Sequence, residues 1–405
     1  MVFFDDLETR SSDQRLTESS VLLKEIIQLA ANLEGYRDTL GSAESSIFNS
    51  LDDLPSLPVL RKSELSERQT RGNALGGYSS KKSFEFAHVF QSPGPIYEPG
   101  GISHDWWRIG RFLHALDIGK GDIVHNCFSY HLTPAGMIFE NGARAVGAAV
   151  VPAGVGQTEL QVRAAVDIGS NVYTGTPDYL KIILDKADEI GETLSFNRAA
   201  VGGGALFPSL RQEYSDRGIV CRQNYATADL GNVAYESEAL DGMIVDEGVV
   251  LEIVTPGTGD PVPLGEVGEV VVTSLNADYP LIRFATGDLS ALMPGVSSCG
   301  RTNVRIKGWM GRADQTTKIK GLFVRPEQVA DLVSSHKDIQ RARIVATRKG
   351  EMDVMTVKIE TENNDKDAFN SSIISTLKLK GNVELVSPGS LPRDGVVVED
   401  LRKYD

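Results

Sequence analysis

Apolar and polar positions change their period repeatedly between residues 105 and 235. "WWRIGRFLHAL", "MIFENGARAVG", "ELQVRAAVDIG" and "PDYLKIILDKADEIG" repeat at the three-to-four spacing of a helix. Between them stand short apolar runs, "DIVHNCF", "AAVVPAG", "NVYTGTP" and "RAAVGGGALFP", most of them running into Pro or Gly as buried strands do. Such alternation predicts a wound, largely parallel sheet covered by helices on both faces, with ligands taken where strands end in loops.

The pattern differs on either side of this region. Upstream, Leu22, Leu23, Ile26, Ile27, Ala30 and Leu33 recur at helical spacing in "SSVLLKEIIQLAANLEGYRDTL", whose opening serines suit a cap. Residues 1–60 therefore read as a helical lead-in. After residue 240, "GVVLEIVTPGTGDPVPLGEVGEVVVTSL" predicts two strands around a Gly/Pro-rich turn. "RARIVATRK" and "DVMTVKIET" predict a further strand pair, between the helical stretches "RPEQVADLVSSH" and "AFNSSIISTLKL". The fold class is thus α/β. A large N-terminal domain over 1–312 combines wound parallel sheets with antiparallel hairpins, and a small α+β domain covers 313–405. The link between them falls in "GWMGRADQTTKIKG".

Composition narrows the partners. A chain of 405 residues is long enough for two cores. Its 55 acidic against 41 basic side chains, a net charge of −14, repel nucleic acid and anionic membranes, so neither is expected as a partner. Three well-separated cysteines argue against a disulfide framework and for a reduced, cytoplasmic setting. "MVFFDDLETR" is too acidic for a secretory signal, and no stretch reaches the roughly 20 apolar residues of a membrane span.

Candidate chemistry sits in four stretches: "VGGGALFP", "NYATADLG", "PLIRFATGDLS" and "GRADQTTKIKG". Each alone is an ordinary turn or cap. His125, Cys127 and His131 in "HNCFSYHLTPAG" lack a second ligand pair at zinc-site spacing, so the segment reads as a strand end and helix start lining a cleft.

In order and spacing, the four stretches together resemble the phenylacetate–CoA ligase branch of the AMP-forming acyl-CoA synthetases. "GYRDTL", "LPVLRKSEL", "GARAVGAAVVPAGVGQTELQ" and "CGRTNVRIKGWMGRAD" extend the resemblance from about residue 20 to near the C-terminus. It implies activation of a small, aromatic carboxylate by ATP and Mg²⁺ as an acyl-adenylate, then transfer to coenzyme A, in an enzyme that is commonly a homodimer. By resemblance, Asp288 of "TGD" grips the ribose hydroxyls, a task suited to a charged two-oxygen acceptor. Tyr225, flanked by Asn224 and Ala226, covers one face of adenine, and Gly203, Gly204 and Ala205 lie against the other. Gly202, Tyr130 and His131 stand near the acyl group. Arg312 contacts the nucleotide, Asp314 is the hinge of the small domain, and Gly321 lines the pantetheine path.

The departures from the pattern matter as much. The family's Ser-Glu after the tyrosine is here Ala228 and Asp229. Asp229 remains an oxygen ligand for magnesium, one methylene shorter, and Thr227 offers a hydroxyl next door. The phosphate loop, in the family Ser-Ser-Gly-Thr-Thr-Gly-Lys-Pro, reads "SPGPIYEP" from Ser92 to Pro99. Pro93 and Pro95 remove amide donors and Glu98 reverses the lysine's charge, leaving Ser92 and the Gly94 backbone to face a nucleotide. Val396 stands where the family has a C-terminal lysine, while Arg393 and Lys403 lie off register. Loss of such a cation costs on the order of 10²–10³ in rate. Two alternatives stay open: an adenylating enzyme with another acceptor, and a nucleotide- or acyl-binding homologue with little catalysis.

Overall fold

The strand Ile123–Asn126 lies between Ala149–Val151 and Val172–Gly175, parallel to both. Parallel pairing continues through Arg198–Val201 to Val220–Thr227. The sheet then turns antiparallel through Gly231–Glu236, Met243–Val245 and Arg305–Ile306. These strands belong to a nine-stranded sheet in the computed structural model, which describes residues 3–40, 48, 50–313, 317–320, 322–349, 352–392 and 396–402. The chain forms two compact units. The first takes in Met1–Leu251, Val272–Phe284 and Met293–Trp309, and the second Glu252–Val271, Ala285–Leu292 and Met310–Asp405.

In the first unit the centres of the parallel strands are largely apolar and buried because both of their faces are covered. Val172 and Ala200 join a layer with Phe112, Ile138 and Phe139. Their neighbours Tyr173, Ala199 and Val201 point the other way, into a layer with Val162, Leu180 and Ile183. Helices Gly110–Ala115, Ala135–Ala145, Thr158–Ile168 and Pro177–Ile190 supply those covering residues. Full burial of each large apolar side chain contributes about 1.5–3 kcal/mol.

Two helix boundaries differ from the sequence expectation. The first helix spans Ser12–Ala31, and the Ser11 hydroxyl caps it by accepting the Gln14 N–H at 3.2 Å. Ser19 and Ser20 lie inside it; Ser20 accepts an N–H from Leu51 rather than starting the helix. "WWRIGRFLHAL" is helical only over Gly110–Ala115, because the Asp105 carboxylate takes the Gly110 N–H at 3.0 Å and fixes the start there. Ahead of both helices, the buried Glu8 carboxylate accepts from Phe4 N–H, Tyr235 Oη and Arg301 Nε at 2.6, 2.9 and 2.5 Å, pinning the N-terminal segment.

The second unit has a four-stranded sheet ordered Asn382–Val386, Met352–Glu360, Arg341–Lys349, Val398–Asp400. The central pair is antiparallel and matched from Arg341↔Glu360 to Lys349↔Met352; the outer strands are parallel to their neighbours. Helices Pro326–Ser334 and Asp367–Leu377 bury Val329, Leu332, Phe369 and Ile373 against Ile344, Val357 and Ile359. Among the described residues, no helix is long and apolar enough to cross a membrane.

Candidate functional site

The altered phosphate-loop segment is a paired hairpin. His88–Ser92 and Ile96–Gly100 match residue for residue, from His88↔Gly100 to Ser92↔Ile96. Alternation puts Phe90, Ser92, Ile96 and Glu98 on its buried face. The Gln69 side chain clamps the outer edge of the second strand, donating to the Tyr97 carbonyl at 2.7 Å and accepting the Tyr97 N–H at 2.8 Å. Gly94 is exposed at the tip, whereas Ser92 turns inward and donates its hydroxyl to Glu98 Oε1. Of the pair expected to face a nucleotide, only the Gly94 backbone is presented to solvent.

Glu98 is 1% exposed, and its Oε2 has no hydrogen-bond partner. Burial first, and then the charge of Asp229, push its carboxyl up to about 8, against the pull of Ser92 and Lys62. Asp229 sits in the turn that joins Val220–Thr227 to Gly231–Glu236. Its Oδ2 accepts from Lys62 Nζ at 2.9 Å, and its buried Oδ1 has no partner. A free oxygen on a carboxylate already held in place suits a hard cation, so the position fits the magnesium role. Thr227 closes the same turn by accepting the Leu230 N–H at 3.1 Å, which commits its hydroxyl locally.

Lys62 escaped the sequence reading, in which "LPVLRKSEL" only extended the resemblance. One signal was available. Lys62 is the first residue of the helix Lys62–Arg68, an end where a cation opposes the helix dipole. A lysine at such a position needs a carboxylate elsewhere, and Asp229 provides it.

The Asn224–Thr227 segment ends the strand Val220–Thr227, beside the Gly-rich loop that follows Arg198–Val201. Asn224 and Tyr225 are buried and Ala226 is half-buried. Asn224 Nδ2 donates to Asn232 at 2.9 Å, while its Oδ1 lies against Gly202: a methyl there would meet it at 2.3 Å. Gly203, Gly204 and Ala205 are exposed at the strand end, ahead of the helix Pro208–Asp216.

Tyr130 and His131 follow the strand Ile123–Asn126. The Tyr130 hydroxyl accepts from Asn126 Nδ2 at 2.7 Å, and burial with the nearby Glu140 raises its phenol. His131 is exposed. His125 and Cys127 are buried and both contact Gln161 Oε1 at 3.2 Å, an internal polar contact that leaves His131 apart.

In the second unit, Thr286, Gly287 and Asp288 lie on the strand Phe284–Ser290. The Thr286 hydroxyl donates to the Val270 carbonyl at 3.0 Å and accepts the Asp288 N–H at 3.2 Å, which fixes the backbone at the carboxylate. Arg312 Nη1 reaches Asp288 Oδ1 at 3.0 Å. Gly287 has φ +73°, and a Cβ there would lie 2.7 Å from the Arg312 guanidinium, so only glycine lets the arginine cross the strand. The Asp288 side chain is 11% exposed and that of Arg312 53%, which leaves the cation accessible. Val396 is half-buried, two residues before the strand Val398–Asp400. Asp314, Gly321, Arg393 and Lys403 lie outside the described residues.

A family model described as the AMP-binding enzyme C-terminal domain matches residues 321–400. The phenylacetate–coenzyme A ligase of Aromatoleum evansii is 30% identical over 330 residues, 77% of this chain and 73% of the relative. That of Thermus thermophilus is 29% identical over 380 residues, 89% of this chain and 84% of the relative. The crystal structure of 2-hydroxyisobutyryl-CoA ligase in the postadenylation state in complex with R3-HIB-AMP superposes with TM-score 0.72 at 24% identity, covering 97% of this chain and 91% of that one.

Proposed function

The chain belongs to the phenylacetate–CoA ligase branch of the AMP-forming acyl-CoA synthetases, and from that premise we propose that the carboxylate it activates is small and aromatic. The coarser activity is that of an AMP-forming acid–thiol ligase: ATP-dependent formation of an acyl-adenylate, followed by transfer to coenzyme A. The aromatic acid is supported by the printed names of the relatives.

The observation that carries the nucleotide reading is Asp288, a backbone-fixed carboxylate paired with an accessible arginine. Asp288 accepts the ribose hydroxyls and Arg312 meets the phosphate side. Tyr225 and the Gly203–Ala205 loop take adenine, while Tyr130, His131 and Gly202 border the acyl group. Asp229 would hold Mg²⁺, which neutralises phosphate charge when bound. Val396 has no charge to offer, so Lys62, already held on Asp229, is the cation for adenylation. The small domain swings at Asp314 between the two half-reactions.

Carboxylate-dependent exchange of pyrophosphate into ATP, run over aliphatic and aromatic acids, tests this reading. Exchange with phenylacetate or a close aromatic acid, and thioester on adding CoA, is the expected result. Exchange without thioester would point to another acceptor. Nucleotide binding without exchange for any acid would point to a binding homologue.

A further inference from the structure

We propose that Arg108 is a positioning residue for adenylation: its guanidinium holds the turn that carries Asp229, gripping it by backbone carbonyls. The spacing of "WWRIGRFLHAL" predicts a helix through this position. In the structure that helix starts only at Gly110, and Arg108 ahead of it takes a left-handed φ of +64°. A residue other than glycine stays in that region where its surroundings hold it there.

The contacts run from the arginine to both sides of the turn. Arg108 Nη2 donates to the Leu230 carbonyl and, at 3.1 Å, to that of Asn232. The adjoining Trp107 carbonyl accepts the Asn232 N–H at 2.9 Å. Gly231 lies between them at φ +73°, where a Cβ would come 2.8 Å from the Trp107 carbonyl oxygen. Leu230 is thereby held at both backbone groups, since its N–H goes to the Thr227 hydroxyl at 3.1 Å. Asp229 stands between those two anchors. Just behind the turn the pairing passes from Tyr225↔Ala234 to Ala226↔Asn232, which leaves Val233 as a bulge. Bulges re-aim the side chains beside them, here Tyr225.

Asp246 sets the arginine in turn. Its N–H donates to the Val233 carbonyl at 2.9 Å, and its buried carboxylate lies 3.2 Å from Arg108 Nε. That carboxylate is also paired with Arg111 at 3.2 Å, so neutralising it does not by itself require Arg108. Gly248 leaves room for the stem: a Cβ there would meet Arg108 Cδ at 2.2 Å. A planar fork can face a carboxylate with one edge and two carbonyls with another, which the single ammonium of a lysine cannot. Bulge, turn and arginine therefore share one anchor.

This role rests on the reading that gives Thr227, Asp229 and Tyr225 to the nucleotide. Pyrophosphate exchange by the full chain is measured with an acid the wild type accepts, at saturating ATP and Mg²⁺, beside amide hydrogen exchange without substrate. Arg108→Gln should lower kcat on the order of 10²-fold and leave the KM of the acid unchanged, with Arg108→Lys in between. Residues 227–232 should lose amide protection in Arg108→Gln while residues 198–201 keep theirs. Equal kcat in the wild type and both variants overturns the proposal, and so does unchanged protection of the turn. Wild type that is silent with every acid overturns the ligase reading itself, and this role with it. Should Arg108→Gln fail to fold, Gly248→Ala, which displaces the Arg108 stem and keeps its charge, decides by the same comparison.

Discussion

Lys62 Nζ lies 2.9 Å from Asp229 Oδ2, joining the first residue of a helix to a β-turn 167 positions later in the chain. The Asp229 side chain is 1% exposed and that of Lys62 38%, so the pair is asymmetric: the carboxylate depends on the lysine more than the reverse. Lys62→Ala should destabilise the fold by about 1–3 kcal/mol, the lower end reflecting solvent access to the cation. It should also slow adenylation by on the order of 10²-fold. Denaturant midpoints and pyrophosphate exchange read the two effects separately. A stability loss with unchanged exchange would confine Lys62 to a structural role.

Asp288→Ala removes the acceptor expected for the ribose and leaves Arg312 without its partner. ATP affinity should fall about 10- to 100-fold by calorimetry, the range for hydrogen bonds to a charged group. An unaltered affinity would remove Asp288 from the nucleotide reading.

Gly202→Ala brings a methyl to 2.3 Å from Asn224 Oδ1. The overpacking should cost about 1–3 kcal/mol. Adding Asn224→Ala should return part of that cost, so the double variant falls short of the sum of the singles. Additive losses would mean that the strand ends separate rather than clash.

Acid stability should register Asp122. Burial works to raise its carboxyl, but the Gly119 N–H, Asn171 and Arg198 outweigh that and hold it below the ordinary range. The unfolded chain therefore binds the proton more readily, and stability rises with pH through this window. The contribution is present above the unfolded value and is lost as pH falls through the folded one. Asp122→Asn should be less stable than wild type at neutral pH, with the gap closing in acid below the depressed value. A gap independent of pH would assign the effect to packing.

The α/β class and the run of parallel strands were legible because buried strands and amphipathic helices leave different periods in sequence. Tyr173 and Val172, facing opposite layers, make one such unbroken apolar run. The helix starts at Ser12 and Gly110 were less legible, since Ser11 and Asp105 act through single hydrogen bonds that several nearby residues resemble. The positions of Asp288 and Tyr225 could be named from local motifs. Lys62 and Asp229 could not be joined that way, because their contact is made between segments far apart in the chain. Sequence showed Glu98 as a lost lysine; burial and an unpartnered oxygen give it another meaning.

The hairpin that carries Glu98 is matched one to one from His88 to Gly100, with both backbone groups of Tyr97 taken by Gln69. Adding or deleting a single position in the second strand would rotate Tyr97 inward and Glu98 outward. The length of this segment is therefore as much a part of its chemistry as its composition. A one-codon insertion there would turn the buried Glu98 carboxyl toward solvent while leaving every reactive side chain in the gene.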